Sequence, residues 1–421
     1  MERRTFLKNS GLVASGAMLM PGILFGRRSA SAVQLGIIGP GSRGTAVITS
    51  MMQNNNCQIV AMADLFEDKL KTAETVLNKL NSDKGLAAIK SENIYKGSKA
   101  YQQLLNNKNI DAVIISSPAY THPEFLEAAV AAGKHVYCEK PAAVDVDGCR
   151  RIIKAGQSVS GKSVVIGFQI RLASAYAEMI KRVHEGAIGD INNVQLYYLS
   201  SKNEIKAKPG MSEDEKKIRD HFHYRSMSGG ILLDQGIHML DVCNWGLQSV
   251  PVKAVGSGGL KSSEHNGDAW NHYQVAYEYP KGINVSCHST QFGSIFGDVC
   301  ARFLGTKGIA EAHYSGGVFI KGENSWDSGI VKSEAEITEA QRASGAFLSS
   351  LHDADPNKGK SFIGSIESGK YLNECTQGAN STLTAILGRQ AAETHRQVAW
   401  DAMVKANEKI SQGLTLSKFD K

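Results

Sequence analysis

Between Val33 and about Val165 short apolar runs alternate with amphipathic stretches. QLGIIG, QIVAMAD, DAVIISSP and KHVYCEK are rich in Val and Ile with little polar interruption, the pattern of parallel strands covered on both faces. Between them, DLFEDKLKTAETVLNKLNS and HPEFLEAAVAAG have helical periodicity, and the second ends on Gly133 as a helix C-terminus does. The run SVVIGFQ at 163–169 predicts one more strand. This βαβ series predicts a doubly wound α/β domain over residues 33–165.

Beyond about Arg171 the period changes. AYAEMIKRVHEGAIG predicts a further helix, and VQLYYLS, NHYQVAYEY, INVSCHSTQ and VCARFLG then alternate apolar and polar positions. That alternation predicts an open, mostly antiparallel sheet with one solvated or partner-covered face, so residues 166–421 form a second α/β domain. Two polar segments, 201–228 and 321–365, interrupt it as lids or as solvated loops. The tail TLTAILGRQAAETHRQ predicts a helix that packs back on one of the domains.

Composition narrows the class. The 421 residues are 42% hydrophobic and 21% charged, which excludes disordered, collagen-like and coiled-coil chains. The net charge is +6, but Arg3, Arg4, Lys8, Arg27 and Arg28 against Glu2 place +4 of it in the first 32 residues, leaving +2 for the remainder. That is no nucleic-acid footprint. The seven Cys are odd in number and lack a CxxC pair, so they are expected to be buried thiols rather than a disulfide framework or a zinc ribbon.

Residues 1–32 have a charged start (ERRTFLK), an apolar stretch (GLVASGAMLMPGILF) and a small-residue end (ASA), the grammar of an export signal. The apolar stretch is too short and Gly-rich for a membrane span. Arg3-Arg4 followed by Phe6-Leu7 resembles a twin-arginine signal, a route that carries folded proteins, so a periplasmic location is expected.

Three constellations carry candidate chemistry. Gly39-Pro40-Gly41-Ser42-Arg43-Gly44 follows an apolar strand and opens a helix, and Asp64 closes the next strand. The glycines suit a tight turn and close approach to a pyrophosphate at a helix N-terminus. Asp64 suits hydrogen bonds from a ribose diol, which favours NAD over NADP. Cys138-Glu139-Lys140-Pro141 ends a strand on the side where doubly wound sheets bind ligands, and Pro141 keeps Lys140 out of helical backbone. Lys140 is therefore a candidate proton-transfer group, with a solvated surface lysine as the alternative. In ILLDQGIHMLDVCNW, helical spacing puts Asp234, His238 and Asp241 on one face of an otherwise apolar segment. His238 then exchanges a proton with a substrate hydroxyl while Asp234 fixes its tautomer. A metal site and a satisfied core histidine are the rivals, and no further His or Cys stands at ligand spacing nearby.

GPGSRG, SSPAYTHPEFLEAAVAAGKHVYCEKP, GFQIRLASAY and LLDQGIHMLD, in that order, resemble the glucose-fructose oxidoreductase, inositol dehydrogenase and rhizopine-catabolism (Gfo/Idh/MocA) family across nearly the whole chain after the signal. The resemblance implies a Rossmann domain and an α/β domain whose open sheet serves homo-oligomerisation. It implies Lys140, Asp234 and His238 as catalytic residues. Ser117, Pro118, His122, Glu139 and Gln169 fall where the family contacts the dinucleotide, and Arg171, Tyr176, Tyr224 and Arg225 are candidate substrate contacts. Many members read EKPL where this chain reads EKPA.

The expectation is thus an exported NAD-dependent enzyme oxidising a secondary hydroxyl of a sugar, glycoside or cyclitol, or reducing the keto form. Outside the cytoplasm no NAD pool is at hand, so the cofactor is expected to stay bound and to be reoxidised in place by a second carbonyl substrate. Two rivals remain: a redox-neutral glycosidase or lyase with Tyr176 or Tyr224 as base, and a non-catalytic protein of the same fold.

Overall fold

The computed structural model describes residues 32–420 except 202, 262–266, 292–296, 315 and 331–348. The export-signal expectation, apart from Ala32, and the middle of the 321–365 segment lie outside the described residues.

The Val- and Ile-rich runs form a parallel sheet because both of its faces are covered. Its strands are β1 (Val33–Ile38), β2 (Cys57–Asp64), β3 (Ile94–Lys96), β4 (Ala112–Ile115), β5 (His135–Cys138) and β6 (Val164–Ile166). They lie in the order β3-β2-β1-β4-β5-β6, all parallel. The order reverses between β1 and β4, so the crevice for a ligand opens beyond the carboxyl ends of those two strands.

The alternating runs form the second sheet: β7 (Ile191–Leu199), β8 (Lys253–Gly259), β9 (His272–Tyr279), β10 (Ile283–Thr290), β11 (Asp298–Gly305), β12 (Gly308–His313), β13 (Val318–Gly322), β14 (Trp326–Asp327) and β15 (Val398–Ala399). Its order is β14-β13-β12-β11-β7-β10-β9-β8-β15, antiparallel except for the β7–β10 pair. Val194, Leu196 and Tyr198 of β7 are buried, whereas Gln195 and Tyr197 between them are half-exposed, so one face packs and the other stays open. The helices Ile237–Leu247 and Cys375–Thr394 contact this sheet. One apolar core runs from Val113, Ile115 and Val136 of the first sheet to Val194, Phe303 and Ala312 of the second.

The chain returns to the first domain near its end. The helix Ala354–Ser368 packs on the helix Ser42–Asn54, with Phe362 and Ile363 in the same apolar cluster as Val47 and Met51. Asn373 then bridges Val164 of β6 in parallel. Residues 354–374, which the period change alone places with the second domain, thus finish the first, and most of 354–365 is helix rather than lid. The 201–228 segment holds the helix Glu213–Arg219, a 3-10 turn at His221–His223 and a short helix Arg225–Ser228. All seven cysteines are buried and unpaired. No helix among the described residues is long and apolar enough to cross a membrane.

The helix Cys375–Thr394 crosses β9 closely, and a Cβ at Gly388 would collide with the Tyr277 hydroxyl, itself buried. Gly388→Ala is expected to cost about 1 to 3 kcal/mol by overpacking, read as a lower midpoint in urea denaturation.

Candidate active site

A cleft of about 550 Å³ opens at the β1–β4 switch point, and nearly all the sequence-predicted cofactor and catalytic residues line it. Gly39 holds φ +81, and a Cβ there would stand 2.6 Å from the Ser117 nitrogen. A Cβ on Gly44 would stand 2.8 Å from the Gly39 carbonyl, so both positions require glycine for close backbone approach. In front of Gly41 there is open space. The helix Ser42–Asn54 begins here with no side-chain cap and no acidic residue in its first turn. Its first N–H groups are left for an anion, and a pyrophosphate fits them in charge and position.

The side chains around the loop have defined tasks. Arg43 donates from Nε to Glu139 at 2.9 Å and from both terminal nitrogens to Asp355 at 2.7 and 2.9 Å. Its charge is committed to this triad, so it holds the loop rather than offering a free cation to phosphate. His122 has both ring nitrogens against carbonyl oxygens, Pro141 at 2.7 Å and Ser117 at 2.9 Å. Burial lowers its pKa more than these acceptors raise it, so its part is to fix the Ser117-Pro118 and Lys140-Pro141 turns beside the cleft. The Lys140-Pro141 bond is cis. Gln169 is buried with Oε1 lacking a partner, an acceptor suited to a carboxamide N–H.

Asp64 lines the cleft at the end of β2 and accepts from the Phe66 N–H at 2.9 Å. Burial pushes its carboxyl up to about 6, against that hydrogen bond and the Lys69 charge.

At the other end Lys140, Asp234 and His238 converge. Lys140 Nζ lies 3.4 Å from Asp234 Oδ1 and also donates to the Asp234 carbonyl. His238 is 6% exposed, and its Nδ1 has no hydrogen-bond partner among the described residues. Burial first, then the charges of Lys140 and Arg43, hold its pKa well below the usual imidazole range, so it is neutral. Tyr198 stacks at 6.2 Å between ring centroids and Tyr314 meets it edge-on at 6.4 Å, which sets its plane.

Several sequence expectations are corrected here. Asp234 makes no hydrogen bond to His238 and pairs with Lys140 instead. The segment Leu232–Gly236 is a π-helical turn, so α-helical spacing does not carry across it. Asp241 leaves the cleft altogether and takes Arg171 in a bidentate pair at 2.9 Å, with Ser381 donating at 2.7 Å. Arg171 is therefore a core cation that answers a buried carboxylate. Arg225 is likewise consumed by Glu393 and Glu408, each at 2.9 Å. Tyr176 is fully buried away from the cleft, and Tyr224 also lies outside its wall, so neither serves as a base there.

The sequence reading missed His221, Asn203, Lys206, Gln235, Tyr198 and Tyr314, which complete the wall near Lys140 and His238. Burial lowers the His221 pKa to about 4, against the pull of Asp234. Two of these lay in plain view, as a histidine and a lysine in the polar 201–228 segment. Away from the cleft, Cys300, Glu311 and His313 bring ligating atoms within 4.8 Å of one another, with the Glu311 carboxylate held by Arg302 and His313.

Two consequences follow for solution behaviour. A ribose diol needs the Asp64 carboxylate as acceptor, and below about pH 6 the free protein holds it protonated. NAD affinity is expected to fall by up to about tenfold per pH unit below that point, and to be flat in Asp64→Asn, measured by nucleotide titration. Arg171→Ala strands the Asp241 charge, 1% exposed. It is expected to cost about 3 to 5 kcal/mol in chemical denaturation while substrate KM stays unchanged.

The comparisons with known proteins agree with this geometry. Residues 33–168 match the model of the oxidoreductase family NAD-binding Rossmann fold (GFO_IDH_MocA), and residues 176–311 match the GFO/IDH/MocA C-terminal domain. Inositol 2-dehydrogenase of Pseudomonas fluorescens (strain SBW25) is 29% identical over 283 residues, 66% of this chain and 74% of that protein. The Rhizobium meliloti (strain 1021) inositol 2-dehydrogenase is 24% identical over 86% of this chain and 96% of its own. Among solved structures, the aldose-aldose oxidoreductase of Caulobacter crescentus superimposes with TM-score 0.66 at 21% identity, covering 87% of this chain and 99% of that one. Scyllo-inositol dehydrogenase of Lactobacillus casei, solved with NAD(H) and scyllo-inositol, gives 0.63 at 18% identity over 88% and 99%. The two consecutive family models span most of the chain, and the protein belongs to the Gfo/Idh/MocA family of NAD-binding oxidoreductases.

Proposed function

We propose that the protein is an exported NAD-dependent dehydrogenase that oxidises a secondary hydroxyl of a sugar, glycoside or cyclitol, or reduces the matching ketone, and keeps its cofactor between turnovers. The observation that carries the reading is the neutral His238, whose Nδ1 has no hydrogen-bond partner among the described residues, beside the Lys140–Asp234 pair in the cleft. The relatives' names, inositol dehydrogenases and an aldose-aldose oxidoreductase, set the substrate panel. Asn203, Lys206, His221 and Gln235 offer the several donors and acceptors that a polyol requires.

Bound NAD supplies the hydride acceptor. Gly41 and the uncapped helix N-terminus would hold its pyrophosphate, Asp64 its ribose diol and Gln169 its carboxamide. Neutral His238 takes the proton of the substrate hydroxyl as the carbon is oxidised. Lys140, oriented by Asp234, donates a hydrogen bond to the same oxygen, and in the reverse direction the protonated His238 returns the proton as the ketone is reduced. The aromatic rings of Tyr198 and Tyr314 exclude water and fix the imidazole. Retention of the cofactor follows from the leader, since an exported enzyme has no nucleotide pool to exchange with. The open face of the second sheet is the surface through which copies associate.

Protein purified without added nucleotide is expected to carry NAD through dialysis and to gain absorbance near roughly 340 nm with one member of a sugar, glycoside and cyclitol panel. His238→Asn and Lys140→Met are each expected to lower turnover by about 10² to 10⁴. Cleavage of a chromogenic glycoside with no net NADH would replace this reading with the redox-neutral one. Loss of NAD on brief dialysis, with added NAD needed for every turnover, would remove the retained cofactor.

A further inference from the structure

The last residues of the chain run back over the mouth of the cleft. Their base is tied down by Glu408, whose carboxylate takes Arg389 at 2.7 Å and Arg225 at 2.9 Å. Arg389 is fully buried, so this anchor is a charge pair that cannot be solvated cheaply. The Glu408 carbonyl accepts from the Asp147 N–H at 3.0 Å, and the Ile410 N–H donates to Asp145 at 2.7 Å. From there the chain crosses to the 201–228 segment, where Asp214 accepts from the Thr415 N–H at 3.2 Å and from Lys418 at 3.3 Å.

The tip then closes on the nucleotide domain. Asp420 accepts from the Ser98 N–H at 2.6 Å and from its hydroxyl at 2.8 Å. Gly97 lies so near that a Cβ there would stand 2.9 Å from the same carboxylate. The Phe419 ring meets Phe66 edge-on at 5.4 Å, and the Arg219 guanidinium lies 4.0 Å from the centre of the Phe66 ring. Gly97 and Ser98 follow β3, Phe66 follows β2 and Asp64, and all of these line the cleft together with Leu416 of the tail. These are the positions beyond the carboxyl ends of β2 and β3, where the adenosine half of a dinucleotide lies in this sheet order.

We propose that residues 407–420 form a strap that completes the adenosine subsite and must lift before the dinucleotide departs. The strap deepens the retained-cofactor reading and rests on it for its purpose, while its own evidence is geometric. Its anchors have unequal strength. The base is held by a buried charge pair, whereas the tip is held by one exposed carboxylate and one aromatic edge, so opening is a local event at the tip. Binding energy spent on closing the strap appears in the dissociation rate rather than the association rate.

The test uses NADH as the probe. Its release from the full chain, from a chain ending at Gly413, and from the full-length variants Phe419→Ala and Asp420→Ala is followed by stopped-flow fluorescence during displacement by excess NAD. The shortened chain is expected to release NADH about tenfold faster or more, with the point variants between. Bound NADH is also expected to slow tryptic cleavage after Lys418. Equal release rates in the full and shortened chains would overturn the strap, and the point variants decide the matter if the shortened chain does not fold. A full chain that loses NADH on dialysis, yet more slowly than its variants, would sink cofactor retention and leave the strap standing.

Discussion

Arg43 holds the site together. Its guanidinium joins three segments far apart in the chain: the glycine loop that carries it, the end of β5 through Glu139, and the returning helix Ala354–Ser368 through Asp355. Burial disfavours a charge at this depth, yet two carboxylates hold the guanidinium firmly in its charged form. The geometry of the glycine loop, the direction of the Lys140 backbone and the docking of the helix therefore stand or fall as one unit. An ion triad of this kind, a partly exposed guanidinium between two buried carboxylates, contributes less to net stability than to selecting one arrangement over its neighbours, because any slip leaves a charge without a partner.

The same charges set the chemistry at the other end of the cleft. Lys140 and Arg43 add to desolvation in keeping His238 neutral, so the cations that order the site also set the protonation state of its imidazole. Asp234 is placed to compensate Lys140 rather than His238. Among the described residues the His238 Nδ1 is thereby left without a hydrogen-bond partner.

Much of this was legible in the chain. The parallel strands showed as Val- and Ile-rich runs, the second sheet as alternation, and the glycine loop with Asp64 as a spacing whose reason is backbone approach to phosphate. Lys140 was legible as the lysine at the carboxyl end of a strand, held extended by Pro141, and Asp234 and His238 as ionisable residues in an apolar segment. What failed was the assignment of partners. Arg171, Arg225 and Asp241 are as polar as true ligand contacts, and only three-dimensional proximity reveals that they neutralise one another in the core. The π turn at Leu232–Gly236 shifted a face that α-helical spacing predicts. His221 and Lys206 escaped notice because a polar segment reads the same whether it faces solvent or a substrate. The return of residues 354–374 to the first domain depends on long-range packing that no local period encodes.

The buried cysteines carry a consequence of their own. Desolvation pushes the thiols of Cys57, Cys287, Cys300 and Cys375 up to about 12 and holds those of Cys138, Cys149 and Cys243 well above the ordinary thiol range, so in the folded chain none is a competent nucleophile. The native protein is indifferent to whether its surroundings are oxidising or reducing. The unfolded chain, with seven accessible thiols and no native pairing to guide them, is not. Folding thus withdraws all seven thiols from solution, and a destabilised variant placed in an oxidising medium would be open to random cross-linking.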